Sequence, residues 1–226
     1  MRTQWLEIAG LQTIAVGSQD AGTVVVLLHG LNMTATDLEP FAHSLRLPAL
    51  YLFPQGPLPA TPSGRAWFAM DEEARRLAKL RGPRDLVDKQ YPQLPAAREQ
   101  LQSYLRTVRT RFQPRSLILG GFSQGGMLSC DAVLNEAAVD GLILLSASRL
   151  NYADWQSRQD RLRSLPILVS HGEHDADLAF AAGLGLRDFA CAAGAAVTWV
   201  PFDGGHEIPL VVWRAVRSFL RSYTSV

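Results

Sequence analysis

Apolar residues cluster along this chain in two ways. Residues 24–28, 50–53, 116–119, 142–145, 166–170 and 197–200 are short runs rich in Val, Ile and Leu. Continuous runs of that kind predict strands covered on both faces, as in a parallel sheet. Residues 5–8 and 11–16 flank Gly10 and predict an antiparallel hairpin. A second class of segment has helical periodicity. It covers residues 37–45 with Thr36 as the cap, 95–112 with Leu101, Leu105 and Val108 in step, 124–135, 180–192 and 208–223. In the second half strands and helices alternate, which predicts βαβ units. The fold class expected is α/β, a mostly parallel central sheet flanked by helices. Residues 1–226 read as one domain. Residues 54–95 break the pattern: Pro54, Gly56, Pro57, Pro59, Pro62 and Gly64 precede a charged stretch from Asp71 to Arg84. They predict a lid-like insertion above the sheet with one short helix at 72–79.

Composition narrows the function classes. With 47% hydrophobic and 19% charged residues in 226, the chain can bury a large core. The formal charge of +1 gives no electrostatic reason to expect nucleic acid or an anionic membrane as partner. Arg106, Arg109, Arg111 and Arg115 read as a solvated helix end. Cys130 and Cys191 have no metal-type or CxxC spacing. The first ten residues lack the apolar core of a signal peptide, and no run is long enough to span a bilayer. A cytoplasmic protein without stable membrane insertion is the expectation.

Candidate chemistry concentrates at Gly121-Phe122-Ser123-Gln124-Gly125-Gly126, between a predicted strand and a predicted helix. That is the nucleophile elbow of the α/β-hydrolase fold, in which small residues flank a serine held in a strained turn. A serine needs a base, and in this fold the chain order is Ser, acid, His. His206, in Asp203-Gly204-Gly205-His206-Glu207, follows the last strand and fits that order. The loop His171-Gly172-Glu173-His174-Asp175 supplies the acid. Asp175 is the first choice and Asp177 the second. His171 and His174 precede the acid and read as structural, and the cluster matches no metal-ligand spacing. Backbone donors for an oxyanion are expected at Gln124, after the nucleophile, and at Leu31, in the loop after residues 24–28. His29 is expected to hold that loop.

These residues resemble the phospholipase/carboxylesterase family, which includes the acyl-protein thioesterases. The resemblance rests on Leu28-His29-Gly30-Leu31, Phe53-Pro54-Gln55-Gly56-Pro57, Ala66-Trp67-Phe68, the elbow, the acid loop and Gly205-His206-Glu207-Ile208. It implies an esterase acting on carboxylic or thioester bonds without a cofactor. It also implies a triad of Ser123, Asp175 and His206, oxyanion donors at Leu31 and Gln124, and Trp67 near the substrate. Trp67 and Phe68 are accordingly expected to bind substrate. Family members usually carry a Val/Ile-Pro pair after the acid, where this chain has Ala176-Asp177-Leu178-Ala179-Phe180. Short to medium acyl esters are therefore the expected substrates. A lysophospholipase or thioesterase on the same triad is the second reading, and a non-catalytic binding protein on the same fold the third.

Overall fold

The computed structural model describes residues 2–224. The apolar runs assemble into one eight-stranded sheet. In chain order the elements are β1 (Thr3–Ile8), β2 (Leu11–Val16), β3 (Thr23–Leu28), α1 (Ala35–Leu45) and β4 (Leu50–Pro54). A two-stranded ribbon, β5 (Leu58–Pro59) and β6 (Arg65–Ala66), leads to α2 (Glu72–Lys79) and α3 (Leu94–Phe112). Then come β7 (Ser116–Phe122), α4 (Gln124–Leu134), β8 (Gly141–Leu145), α5 (Tyr152–Ser157) and β9 (Pro166–Gly172). The chain ends with α6 (Phe180–Ala192), β10 (Ala196–Phe202) and α7 (Leu210–Thr224). The strand order is β1-β2-β4-β3-β7-β8-β9-β10. The first two pairings, β1 with β2 and β2 with β4, are antiparallel. Every pairing from β4 to β10 is parallel.

The reason β3 reads as an unbroken apolar run is visible in its packing. Val24, Val26 and Leu28 pack with Leu101, Leu105 and Val108 of α3, Leu128 of α4 and Phe189 of α6. Val25 and Leu27 join Leu38 and Leu45 of α1 and Val212, Val216 and Leu220 of α7 on the opposite face. All six residues of β3 are buried. Each apolar side chain so removed from water contributes about 1.5–3 kcal/mol, and the strand's one polar residue, Thr23, donates its hydroxyl to Tyr223 O. Among the described residues, no helix is long and apolar enough to cross a membrane.

Several boundaries differ from the sequence expectation. Helix α1 starts at Ala35, capped by Thr34 rather than Thr36. The Asp37 carboxylate accepts the Thr34 N–H at 2.7 Å, and Gln55 Oε1 takes the Ala35 N–H at 2.7 Å. Strands β7 and β9 continue to Phe122 and Gly172, beyond the apolar runs that announced them. Their last residues pair with β8 and β10 and carry the chain to the site. The segment 54–95 holds more order than expected. Its ribbon is tied back by Arg65, whose guanidinium donates to Gly56 O and Pro57 O. Helix α2 occupies the expected residues. Beyond it, Arg84 donates its N–H to Asp177 O at 3.0 Å, and Ala179 N–H donates to Arg84 O at 2.8 Å. The insertion is thereby stitched to the loop after β9.

Candidate active site

Neighbouring strands β3 and β7 send their connections to opposite sides of the sheet, β3 toward β4 and β7 toward β8. Such a switch point opens a crevice at the carboxyl ends of the strands. Pairing of Leu28 with Gly121 sets the loop after β3 beside the turn after β7. Ser123 occupies that turn at φ 52° and ψ −117°. This is a strained conformation for a residue with a side chain, and it persists because its surroundings fix it. The Ser123 N–H donates to Leu145 O at 2.8 Å. Gly125 lies against β3 so closely that a Cβ there would collide with the carbonyl oxygens of Leu28 and His29.

His206 comes from the loop after β10. Its Nε2 lies 3.0 Å from Ser123 Oγ and its Nδ1 lies 2.6 Å from Asp175 Oδ2. A carboxylate only accepts, so Nδ1 carries the hydrogen and Nε2 faces the serine as acceptor. Phe122 packs on the imidazole with ring centroids 4.7 Å apart. The Asp175 side chain is fully buried. Its Oδ1 accepts the N–H groups of Asp177 and Leu178 at 2.8 and 2.9 Å. Its Oδ2 is also 3.4 Å from His171 Nε2. Burial alone would raise the Asp175 pKa. The hydrogen bonds from His171 and His206 outweigh it and hold the carboxyl well below the usual range. Gly172 allows the acid and histidine loops to meet, since a Cβ there would strike the carbonyl oxygens of Gly204 and Gly205.

Asp177, the second choice for the acid, faces elsewhere. It accepts from Arg75 and Arg84 and lies 3.0 Å from Lys79 Nζ. His174 pairs with Asp203 at the surface. His171 is buried, and its Nε2 donates to Leu178 O at 3.0 Å. Sequence reasoning gave it a structural role without anticipating its contact with Asp175.

The loop after β3 is held by His29, which has no solvent exposure. Its Nδ1–H donates to Gly30 O at 2.8 Å, and its Nε2 accepts the Gly56 N–H at 2.9 Å. Burial lowers its pKa to about 4, so the ring is neutral. Gln124 is the first residue of α4, so its backbone N–H has no acceptor within the helix. Its side chain is fully engaged: Oε1 accepts the Trp67 N–H and Nε2 donates to Phe68 O. Leu31 and Gln124 both border a cavity of about 240 Å³ that also contains Ser123 and His206. Two donors expected for an oxyanion thus flank the nucleophile.

Trp67 and Phe68 do not line this cavity. Trp67 is buried, and its indole N–H donates to His29 O at 2.9 Å, bracing the loop from behind. Phe68 is a core residue packed on Tyr91. The aromatic pair, expected to bind substrate, sits behind the residues that border this cavity. The wall is made by Leu31, Met33, Met70, Leu86, Met127 and Leu178, with Arg75, Arg84 and Asp177 on one side. Three of the chain's four methionines border the cavity, a compositional signal that could have found it. A hollow of about 250 Å³ between α3 and residues 135–138 contains no nucleophile.

Comparison with known proteins agrees with this geometry. The phospholipase/carboxylesterase family model matches residues 9–224. Acyl-protein thioesterase 1 of Gibberella zeae is 32% identical over 113 residues, a match spanning 48% of this chain and 48% of that protein. Acyl-protein thioesterase 1 of Neurospora crassa is 25% identical over 214 residues, spanning 87% of this chain and 84% of that one. The crystal structure of esterase PE8 superposes with a TM-score of 0.79 at 23% identity, covering 94% of this chain and 99% of that chain, which shows a shared fold.

Proposed function

We propose, because the chain belongs to the phospholipase/carboxylesterase family of α/β hydrolases, that it hydrolyses carboxylic esters of short to medium acyl chains through an acyl-enzyme. The observation that carries this reading is the continuous Ser123–His206–Asp175 hydrogen-bond chain, at 3.0 and 2.6 Å, opening on the cavity. In this reading His206 Nε2 takes the Ser123 proton as Oγ attacks the ester carbonyl, and returns it to the leaving alcohol. Water then repeats the sequence on the acyl-enzyme. Asp175, ionised and fixed by the N–H groups of Asp177, Leu178 and His206, keeps the imidazole in the working tautomer and stabilises the imidazolium. The N–H groups of Leu31 and Gln124 stabilise the oxyanion, each worth about 2.7–4 kcal/mol in this role.

Chain length follows from the cavity. A cavity of about 240 Å³ suits a small acyl group and not a long lipid. The walls near the serine are thioether and aliphatic, which favours an acyl chain. A second reading keeps the triad and changes the bond: the relatives from Gibberella zeae and Neurospora crassa are named as acyl-protein thioesterases. The substrate we infer is a small ester, with neither nucleic acid nor membrane as partner. The exposed free thiol of Cys191 fits the reducing cytoplasm, where we place the protein.

Ser123→Ala tests the assignment. The variant is expected to lose p-nitrophenyl ester hydrolysis and fluorophosphonate labelling while keeping the wild-type melting temperature. Hydrolysis or labelling retained above a trace would remove Ser123 from its role.

A further inference from the structure

Beside the nucleophile, three cations converge on one carboxylate. Arg75 and Lys79 stand one turn apart on α2, and Arg84 lies just beyond that helix. All three reach Asp177, two residues past the triad acid. Asp177 is 5% exposed, Arg84 14%, Arg75 18% and Lys79 39%. Salt bridging of Asp177 overcomes the effect of its burial and draws its pKa down to about 2, so it carries one full negative charge. Arg75 also contacts Glu72, on the exposed side of α2.

The cluster contains more positive charge than a structural tie requires. A single arginine would satisfy a buried aspartate, because each guanidinium offers five donors in a fork. Of the residues that border the cavity with Ser123, two guanidiniums face one carboxylate. With Lys79 and Glu72 included, three cations meet two carboxylates, so the cluster keeps one net positive charge beside the cavity. Arg84 has donors to spare: it gives Asp177 one Nη, and its buried Nε has no partner. Apart from Ser123, Gln124 and His206, the rest of the cavity wall is apolar, so this cluster is its strongly charged side.

We propose that Arg75 and Arg84 read an anionic group on the substrate. The ester hydrolysed then bears a carboxylate or phosphate-type group a few atoms from the scissile bond, with its intervening methylenes against Met33, Met70 and Leu178. Arg75 and Arg84 set specificity and Asp177 holds the two forks in place. This rests on the reading of Ser123 as an esterase nucleophile.

The test compares three p-nitrophenyl esters on one enzyme: the monoester of glutarate, the 4-phosphonobutanoate and the neutral 5-methylhexanoate, which matches the glutarate in shape. The readout is the ratio of kcat/KM for each anionic ester to that of the neutral one. Taking this ratio cancels any loss of active enzyme. Wild type is expected to favour at least one anionic ester by about tenfold or more at low salt, with the preference shrinking as salt rises. Arg84→Gln and Arg75→Gln are each expected to lower the ratio by about fivefold or more. Arg84→Lys, which keeps the ion pair with Asp177 but loses the fork, provides the same test if the glutamine variants fold poorly. The faster anionic ester identifies the group. A wild-type ratio near or below one, or a ratio that no substitution moves, overturns the proposal. Failure to turn over any of the three while Ser123 still reacts with a fluorophosphonate overturns it too. Loss of that labelling in wild type would instead strike the esterase reading, and this inference with it.

Discussion

His29 and Asp177 are both buried and titratable, and both fold the site without reacting in it. At His29 the hydrogen-bond partners fix one neutral tautomer, since Gly30 O needs a donor and Gly56 N–H needs an acceptor. A second ring proton would point at another donor. The folded pKa, about 4, lies below the ordinary 6.5. The unfolded chain therefore takes up the proton first as pH falls. The stability that His29 supplies is complete above pH 6.5, declines toward pH 4 and is gone below it, a loss of about 3 kcal/mol. Thermal melts of wild type across this range are expected to show the decline, and His29→Asn to remove its share of the slope. For the two acidic candidates the substitutions should separate cleanly. Asp175→Asn is expected to cost about 10⁴-fold in kcat. Asp177→Asn leaves buried guanidiniums without their anion and is expected to cost about 3 kcal/mol or more of stability. If kcat collapses in Asp177→Asn and survives in Asp175→Asn, the acid has been misassigned.

Among elements, the central strands were legible because both faces of the sheet are covered there, so apolar runs mark them. Their ends were less so. Gly120, Gly121 and Gly172 carry no apolar side chain, yet they extend β7 and β9 to the points where chemistry begins. The cap of α1 was misplaced by two residues because Thr34 and Thr36 are both acceptable, and only the spacing of Thr34 to Asp37 completes a capping box. Ser123, Asp175 and His206 were legible as one group from their order and from the turns that hold them, and the structure joins them by hydrogen bonds. The cavity wall was not, since Met33, Met70, Leu86, Met127 and Leu178 come from five separate stretches that meet only in three dimensions. Trp67 illustrates the same difficulty: a tryptophan in a motif near the site reads as a substrate contact, whereas its indole braces the loop carrying Leu31. Trp67→Ala is therefore expected to lower kcat and cost about 3–5 kcal/mol of stability, with KM for short esters nearly unchanged. A KM rise alone, at full stability, would return Trp67 to the binding surface.

At the scale of the molecule, the cavity is bordered by residues of the 54–95 segment and of the acid loop, which are joined through Arg84 and Asp177. On the proposed function, these borders are expected to limit chain length. Each buried methylene adds about 0.8 kcal/mol of binding, so kcat/KM should climb through short p-nitrophenyl esters, level off by about C8 and fall for longer ones. A steady rise to palmitate would show that the insertion swings aside. The triad also depends on the whole sheet, because its histidine follows β10, which pairs with β9 at the sheet's edge. A chain emerging from the ribosome up to α6 already contains serine and acid but has no base for them. On the proposed triad, hydrolysis is therefore expected to begin only once β10 has paired with β9 and brought His206 to Ser123.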